Sequence, residues 1–359
     1  MKSQMFPQIN PSAIVPGEDP IVADCLEARE FNKRGLFIGG CQKSGTTLLM
    51  TLLDSHPQLI VFPEETTYLQ RQYRFRRLKG YRAKLKFLLE GTAAERLGTG
   101  SYSGFDHWRF VTLAMEFVNR AWINDSLLFS ETIRAYGITM GAVWRNCVRW
   151  VEKTPKSETY PKELDELFPD AKLIQMVRDP RAVIASRKQW NIRQKGHYTE
   201  AHGLAREWNR CARQTPRLRS NPERFLVVQY ESLVSNPMKV LRDICSFGGF
   251  EFSESMLEPT RAGNGWQGNS AFHKALIGIS AAPVEKWKDC LTEHEIWWIE
   301  LHCRRGMELA GYPLQTDARF SLRRWLKRLP GESWSGYVRA RRASLCQGLG
   351  LLKDCRYGG

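Results

Sequence analysis

The sequence predicts an α/β fold, a parallel sheet flanked by helices on both faces, in a single domain. Three observations carry that expectation. Short apolar runs of strand length alternate with longer segments of helical spacing. A glycine-rich turn, Gly39 to Gly45, joins the first such run to the first helical segment. No internal repeat or low-complexity tract interrupts the alternation.

Taken in order, residues up to about Asn32 read as an irregular arm rich in proline and acids. Leu36–Ile38 is the first buried strand and Thr46–Ser55 the first helix. His56-Pro57 stops that helix, because a proline biases the preceding residue away from the helical region. Leu59–Phe62 reads as a second strand, opening into the loop Pro63-Glu64-Glu65. From Tyr68 to about Val148 the pattern is mostly helical and basic. Lys172–Val177 is a third strand, followed by a helix over Pro180–Trp190. Phe225–Gln229 is a fourth strand, and Pro237–Phe247 a helix closed by Gly248-Gly249. Glu293–Leu309 is a strongly apolar helix ended by Gly311.

The turn after the first strand has the chemistry of an anion cradle. Backbone N–H groups of such a loop, with the positive end of the following helix dipole, hold a phosphate. The layout is P-loop-like without being a Walker A sequence. Gly40 and Gly45 have the right separation, but the position that needs lysine is Thr46, and the lysine stands earlier, at Lys43. The loop keeps its cradle and aims its cation elsewhere.

The chain has 359 residues, 42% hydrophobic and 25% charged, an ordinary globular balance. No run approaches the roughly 18 apolar residues of a membrane span, and the N-terminal residues show no apolar signal-peptide core. A cytoplasmic location is the expectation. Nine cysteines are scattered with no C-x-x-C pair, which fits a reduced compartment without structural zinc. The formal net charge of +15 suits a multiply charged nucleotide, an anionic acceptor, a membrane surface or nucleic acid. One basic cluster runs from Arg71 to Lys86, interleaved with Tyr73, Phe75, Tyr81 and Phe87; another is the tail from Arg319 to Arg356. No RNP, KH or zinc-finger pattern accompanies either, so nucleic acid is not an expected partner. In the tail, Leu322, Trp325, Leu326 and Leu329 share one helical face among basic residues. That face either packs on the main domain or lies on an anionic membrane surface. Oligomeric state is not legible.

Two blocks carry a resemblance. Lys43-Ser44-Gly45-Thr46-Thr47-Leu48, after a strand, resembles the 5′-phosphosulfate loop of sulfotransferases that use 3′-phosphoadenosine 5′-phosphosulfate (PAPS). Leu173-Ile174-Gln175-Met176-Val177-Arg178-Asp179-Pro180-Arg181, followed by Ser186 and Trp190, resembles the 3′-phosphate motif of the same family. Further likeness is to tyrosylprotein and carbohydrate members. Because the two motifs must meet on one nucleotide, they imply one sulfotransferase domain over 35–315, between an arm (1–34) and a basic extension (316–359). The resemblance implies transfer of a sulfuryl group from PAPS to a hydroxyl acceptor of unknown class, giving 3′-phosphoadenosine 5′-phosphate (PAP) and a sulfate ester.

The resemblance also implies site residues. Lys43 meets the leaving oxygen, and Ser44, Gly45, Thr46 and Thr47 hold the 5′-phosphate. Arg178 and Ser186 take the 3′-phosphate. Lys153, in Lys153-Thr154-Pro155, contacts the sulfuryl oxygens. Tyr230 lies near the nucleotide, and Ser270 and Lys286 belong to a loop closing over it. The base is Glu65 or Glu64, with Glu65 favoured. Cytosolic members use a histidine, for which His56 is badly placed. A sulfuryl group carries less charge than a phosphoryl group, so no metal is expected. Two rivals stand beside this reading: a nucleotide kinase with an altered P-loop, and a non-catalytic PAPS- or polyanion-binding protein.

Overall fold

The computed structural model describes residues 20–89, 97, 102, 104–120, 123–195, 201–266, 268, 279–319, 321, 323–324 and 327. Five strands, β1 (Gly35–Gly40), β2 (Leu59–Val61), β3 (Arg149–Lys153), β4 (Lys172–Val177) and β5 (Phe225–Gln229), form one sheet in the order β2-β3-β1-β4-β5. Every pairing in it is parallel. The central strand β1 is buried along its whole length, as expected of a sheet covered on both sides.

Strand alternation divides the core. Leu36 and Ile38 turn to one face, where they join Ile174, Met176 and Val228 beneath α2 (Thr46–Asp54) and the helix Pro237–Gly248. Phe37 turns to the other face and meets Trp150 and Phe168 at ring-centroid distances of 5.4 and 5.2 Å. Tyr68 and Phe129 stack at 4.2 Å in the same aromatic cluster, with Phe129 carried by the helix Asp125–Thr139. Gln175 is buried on β4, yet satisfied: its Nε2 donates to the Cys211 carbonyl and its Oε1 accepts from Thr215. Among the described residues no helix is long and apolar enough to cross a membrane.

Two expectations are corrected. The segment before β1 is not irregular throughout, because Pro20–Lys33 is the helix α1. Its Ala28 and Phe31 are fully buried, and the Trp150 indole donates to the Phe31 carbonyl at 2.8 Å. Apolar residues off the packing face, such as the exposed Leu26, hid it. The strand β3 lies where only a helical stretch and a loop lysine were expected. Its Arg149-Trp150-Val151-Glu152-Lys153 is too charged to read as buried, yet Glu152 and Lys153 are 2% and 4% exposed. Hydrogen bonds to Glu152 offset what its burial costs. Leu322, Trp325, Leu326 and Leu329 of the expected amphipathic tail lie outside the described residues.

A third apolar cluster packs α3 (Pro180–Lys195), α4 (Ala201–Ala212) and α5 (Glu293–Ala310) beside β4. A buried ionic chain pins α3 to α5. Arg181 forks onto Asp179 and reaches Glu300 at 2.7 Å. Glu300 also accepts from the backbone N–H groups of Gln315 and Thr316. Removing one partner of such a chain leaves an uncompensated buried charge. Arg181→Met should lower unfolding stability by about 3–5 kcal/mol, read as a reduced urea midpoint.

Candidate active site

Parallel register brings the strand ends to one edge. Ile38 pairs with Lys153, Gly40 with Met176, and Val177 with Gln229. The loops after β1, β3, β4 and β5 therefore leave together. Through the pairing of Val61 with Val151, β2 delivers residues 62–68 to the same side. Carboxyl ends of strands at a reversal of strand order are where open α/β sheets take their ligands.

The loop after β1 is shaped by backbone that side chains cannot follow. Gly45 has φ +89, and a Cβ there would sit 2.4 Å from the Tyr230 ring. Lys43 also takes a left-handed φ, of 67°. Gly45 caps α2 without a side chain, so the first-turn N–H groups have no capping side chain. Ser44 is fully buried, and its hydroxyl has no partner among the described residues. An uncapped helix start beside an unpartnered hydroxyl suits a phosphate.

Cations converge on this cradle. Lys43 Nζ lies 5.6 Å from the Trp190 ring centroid. Burial, then the neighbouring Arg187 and Arg178, hold the Lys43 ammonium below the usual lysine range, while Glu65 works against them. Arg178 does not pair with Asp179. Its Nη1 donates to the Lys43 carbonyl at 3.0 Å, its Nη2 to the Pro283 carbonyl at 3.2 Å, and its guanidinium lies 4.1 Å from the centroid of Tyr230. The buried Nε has no partner among the described residues, a further donor suited to an anion. Ser186 sits on α3, 5% exposed. The contact at Pro283 tethers the segment that carries the half-buried Lys286. Ser270 lies outside the described residues.

The two glutamates part company. Glu65 is half exposed and accepts from Lys153 Nζ at 2.7 Å. Glu64 is buried and accepts from Arg261 at 2.5 Å and from the Tyr102 hydroxyl. His56 lies just past the end of α2 that is opposite the anion cradle. Its Nε2 bonds the Glu251 carbonyl at 2.8 Å, and its Nδ1 accepts from the Gln58 N–H.

Several contributors were not legible beforehand. Glu152 accepts from the Thr66 N–H, the Thr66 hydroxyl and Thr154, and so fastens the loop after Glu65 to β3. Burial raises its carboxyl above the usual range, against the lowering effect of those hydrogen bonds. Arg187 stands next to Ser186 in sequence and bears on Lys43. Its place in an arginine-rich helix gave no separate signal. Arg261 comes from a short hairpin with no motif.

The sulfotransferase family model matches residues 35–254, more than half the chain and both motif blocks. This chain belongs to the sulfotransferase family. A putative protein-tyrosine sulfotransferase of Caenorhabditis briggsae is 25% identical over 278 residues, covering 72% of this chain and 82% of that relative. Protein-tyrosine sulfotransferase 2 of Gallus gallus is 27% identical over 265 residues, covering 71% of this chain and 58% of that relative, so the chain spans under two thirds of its length. The sulfotransferase domain of the Synechococcus PCC 7002 olefin synthase aligns with TM-score 0.48 and 25% identity, covering 78% of this chain and 94% of that domain. The sulfotransferase moves a sulfuryl group from PAPS to a hydroxyl acceptor. The kinase and non-catalytic readings are not favoured.

Two outcomes follow for this sulfotransferase. Gly45→Ala should lose PAP binding by at least about 10²-fold in titration, because the left-handed turn and the Tyr230 ring both exclude a Cβ. The pH profile of kcat/KM, which reports the free enzyme, should lose its alkaline side below the usual lysine range. The direction follows from Lys43: a depressed ammonium loses its proton, and its charge, earlier as pH rises. Lys43→Arg should move that limb to higher pH.

Proposed function

We propose that Glu65 is the general base of sulfuryl transfer, and that Lys43 and Lys153 are the cations of the reacting centre. The observation that carries this reading is the Lys153–Glu65 contact at 2.7 Å on a half-exposed carboxylate that also bears on Lys43. A base must be reachable by the acceptor and ionised when it arrives. The half-exposed position of Glu65 leaves its carboxylate open to the acceptor.

Bound PAPS supplies the electrophilic sulfur and PAP as leaving group. The loop N–H groups of residues 44–47 and the Ser44 hydroxyl take the 5′-phosphate. Arg178 and Ser186 serve the 3′-phosphate, with Lys286 on the segment that Arg178 tethers at Pro283. Glu65 accepts the proton of the acceptor hydroxyl at its carboxylate as the new oxygen–sulfur bond forms. Lys43 places positive charge where the bridging oxygen gains negative charge as its bond to sulfur breaks. Lys153 orients Glu65 and faces the sulfuryl oxygens. The tyrosine named in the curated relatives makes a tyrosyl peptide the first acceptor to assay, with glycan and alcohol panels beside it.

Glu65→Gln should remove transfer from labelled PAPS while PAP affinity stays within about twofold, since a base touches the acceptor and not the nucleotide. A folded Glu65→Gln enzyme with ordinary turnover would sink the assignment. Lys43→Ala should cost about 10²–10³ in turnover, the usual effect of losing one charge-stabilising contact.

A further inference from the structure

The loop that carries Glu65 is held on both sides. Downstream, Thr66 is bound to Glu152, and the Thr67 N–H donates to Thr154 at 3.1 Å. Upstream, Arg261 holds both main chain and side chain. Arg261 donates from Nε and Nη2 to the Pro63 carbonyl, at 3.1 and 3.0 Å, and from Nη2 to Glu64 Oε1 at 2.5 Å. Its guanidinium also lies 5.6 Å from the centroid of the Tyr102 ring, whose hydroxyl donates to the same Glu64 oxygen.

Arg261 sits on a two-stranded antiparallel hairpin, β6 (Thr260–Arg261) and β7 (Asn264–Gly265). That hairpin is bound in turn to the far end of α2. Asp54 accepts from the Thr260 hydroxyl at 2.7 Å and from the Gly263 N–H at 3.1 Å. The Ser55 hydroxyl donates to the Glu258 carbonyl at 2.5 Å.

We infer that Arg261 and Glu64 form a positioning clamp for the catalytic base. The inference rests on the assignment of that role to Glu65. Arg261 fixes the backbone one residue before Glu64 and neutralises the Glu64 carboxylate. Two adjacent ionised carboxylates would repel each other and the anionic donor; pairing one of them with a guanidinium leaves Glu65 as the carboxylate directed at the reaction. Glu64 thus acts through Arg261, as a strut, and takes no proton from the acceptor. A contact made to main chain and carboxylate at once needs a planar fork, so lysine is an incomplete substitute. Loss of the clamp displaces Glu65, and a displacement near 1 Å at a reacting group costs about 10²-fold in rate.

The test compares Glu65→Gln, Arg261→Ala, Arg261→Lys and Glu64→Gln in the full chain. Turnover is measured at saturating PAPS, PAP affinity by titration, and melting temperature alongside. The clamp predicts that Arg261→Ala loses about 10²-fold in kcat with PAP affinity within about twofold of the parent. Added guanidinium at a sub-denaturing concentration should restore part of that loss, and Arg261→Lys should fall between the two. Glu64→Gln, which keeps an oxygen for Arg261, should retain most of its turnover. If Glu65→Gln is inactive but Arg261→Ala keeps kcat within about threefold, the clamp is wrong and the base stands. If Arg261→Ala loses PAP affinity in proportion to kcat, with no guanidinium rescue, its role is general structure and the inference falls. If Glu64→Gln is the dead variant and Glu65→Gln survives, the base itself was misassigned and the clamp falls with it.

Discussion

The guanidinium of Arg178 is the contact on which the site depends. It grips the main chain of the phosphate loop at Lys43 and that of a distant segment at Pro283, and it stands 4.1 Å from the centroid of the Tyr230 ring. Tyr230 occupies the space that the missing side chain of Gly45 leaves open. The phosphate loop at residues 43–45, Tyr230 and the segment at Pro283 therefore meet around one cation and one bare Cα. The peptide behind Arg178 is fixed as well, since its carbonyl accepts from the Trp208 indole at 2.9 Å. Planarity and multiple donors let one side chain do this, where an ammonium would hold a single point.

That arrangement concentrates positive charge before any donor arrives. Arg187 and Arg178 both bear on Lys43, and burial strips water from it. Such crowding is unfavourable in isolation. It becomes favourable once a ligand with several negative groups fills the space, because charge–charge attraction is strongest where solvent screens it least. The same logic explains why Lys153 needs Glu65 beside it.

Much of this was legible in the sequence, for identifiable reasons. β1, the phosphate loop and β4 announced themselves because fully buried parallel strands are runs of apolar residues and the loop needs glycine at fixed places. Lys43, Arg178 and Ser186 were singled out through the resemblance of their two blocks to sulfotransferase motifs. β3 was missed because it buries Glu152 and Lys153, charges whose partners, Thr66 and Glu65, lie far back in the chain. α1 was missed because its apolar residues are not confined to the packing face: Leu26 is exposed while Ala28 and Phe31 are buried. The register between Glu64 and Glu65 could be favoured but not decided, since both stand on one short loop. In the fold their partners differ, Arg261 and Tyr102 for Glu64 and Lys153 for Glu65. Arg261 itself carried no local signal, because its role exists only through contacts about 200 residues away in sequence.

The helix α2 has nine residues, a rod about 13 Å long. Its first turn is the anion cradle, and its last residue, Asp54, anchors the hairpin that reaches back to the loop before Glu65. A rod this short does not bend, so its two ends cannot move independently. The anion cradle and the support of the loop before Glu65 therefore share one rigid element, as two jaws on one lever, with the hairpin as the return arm.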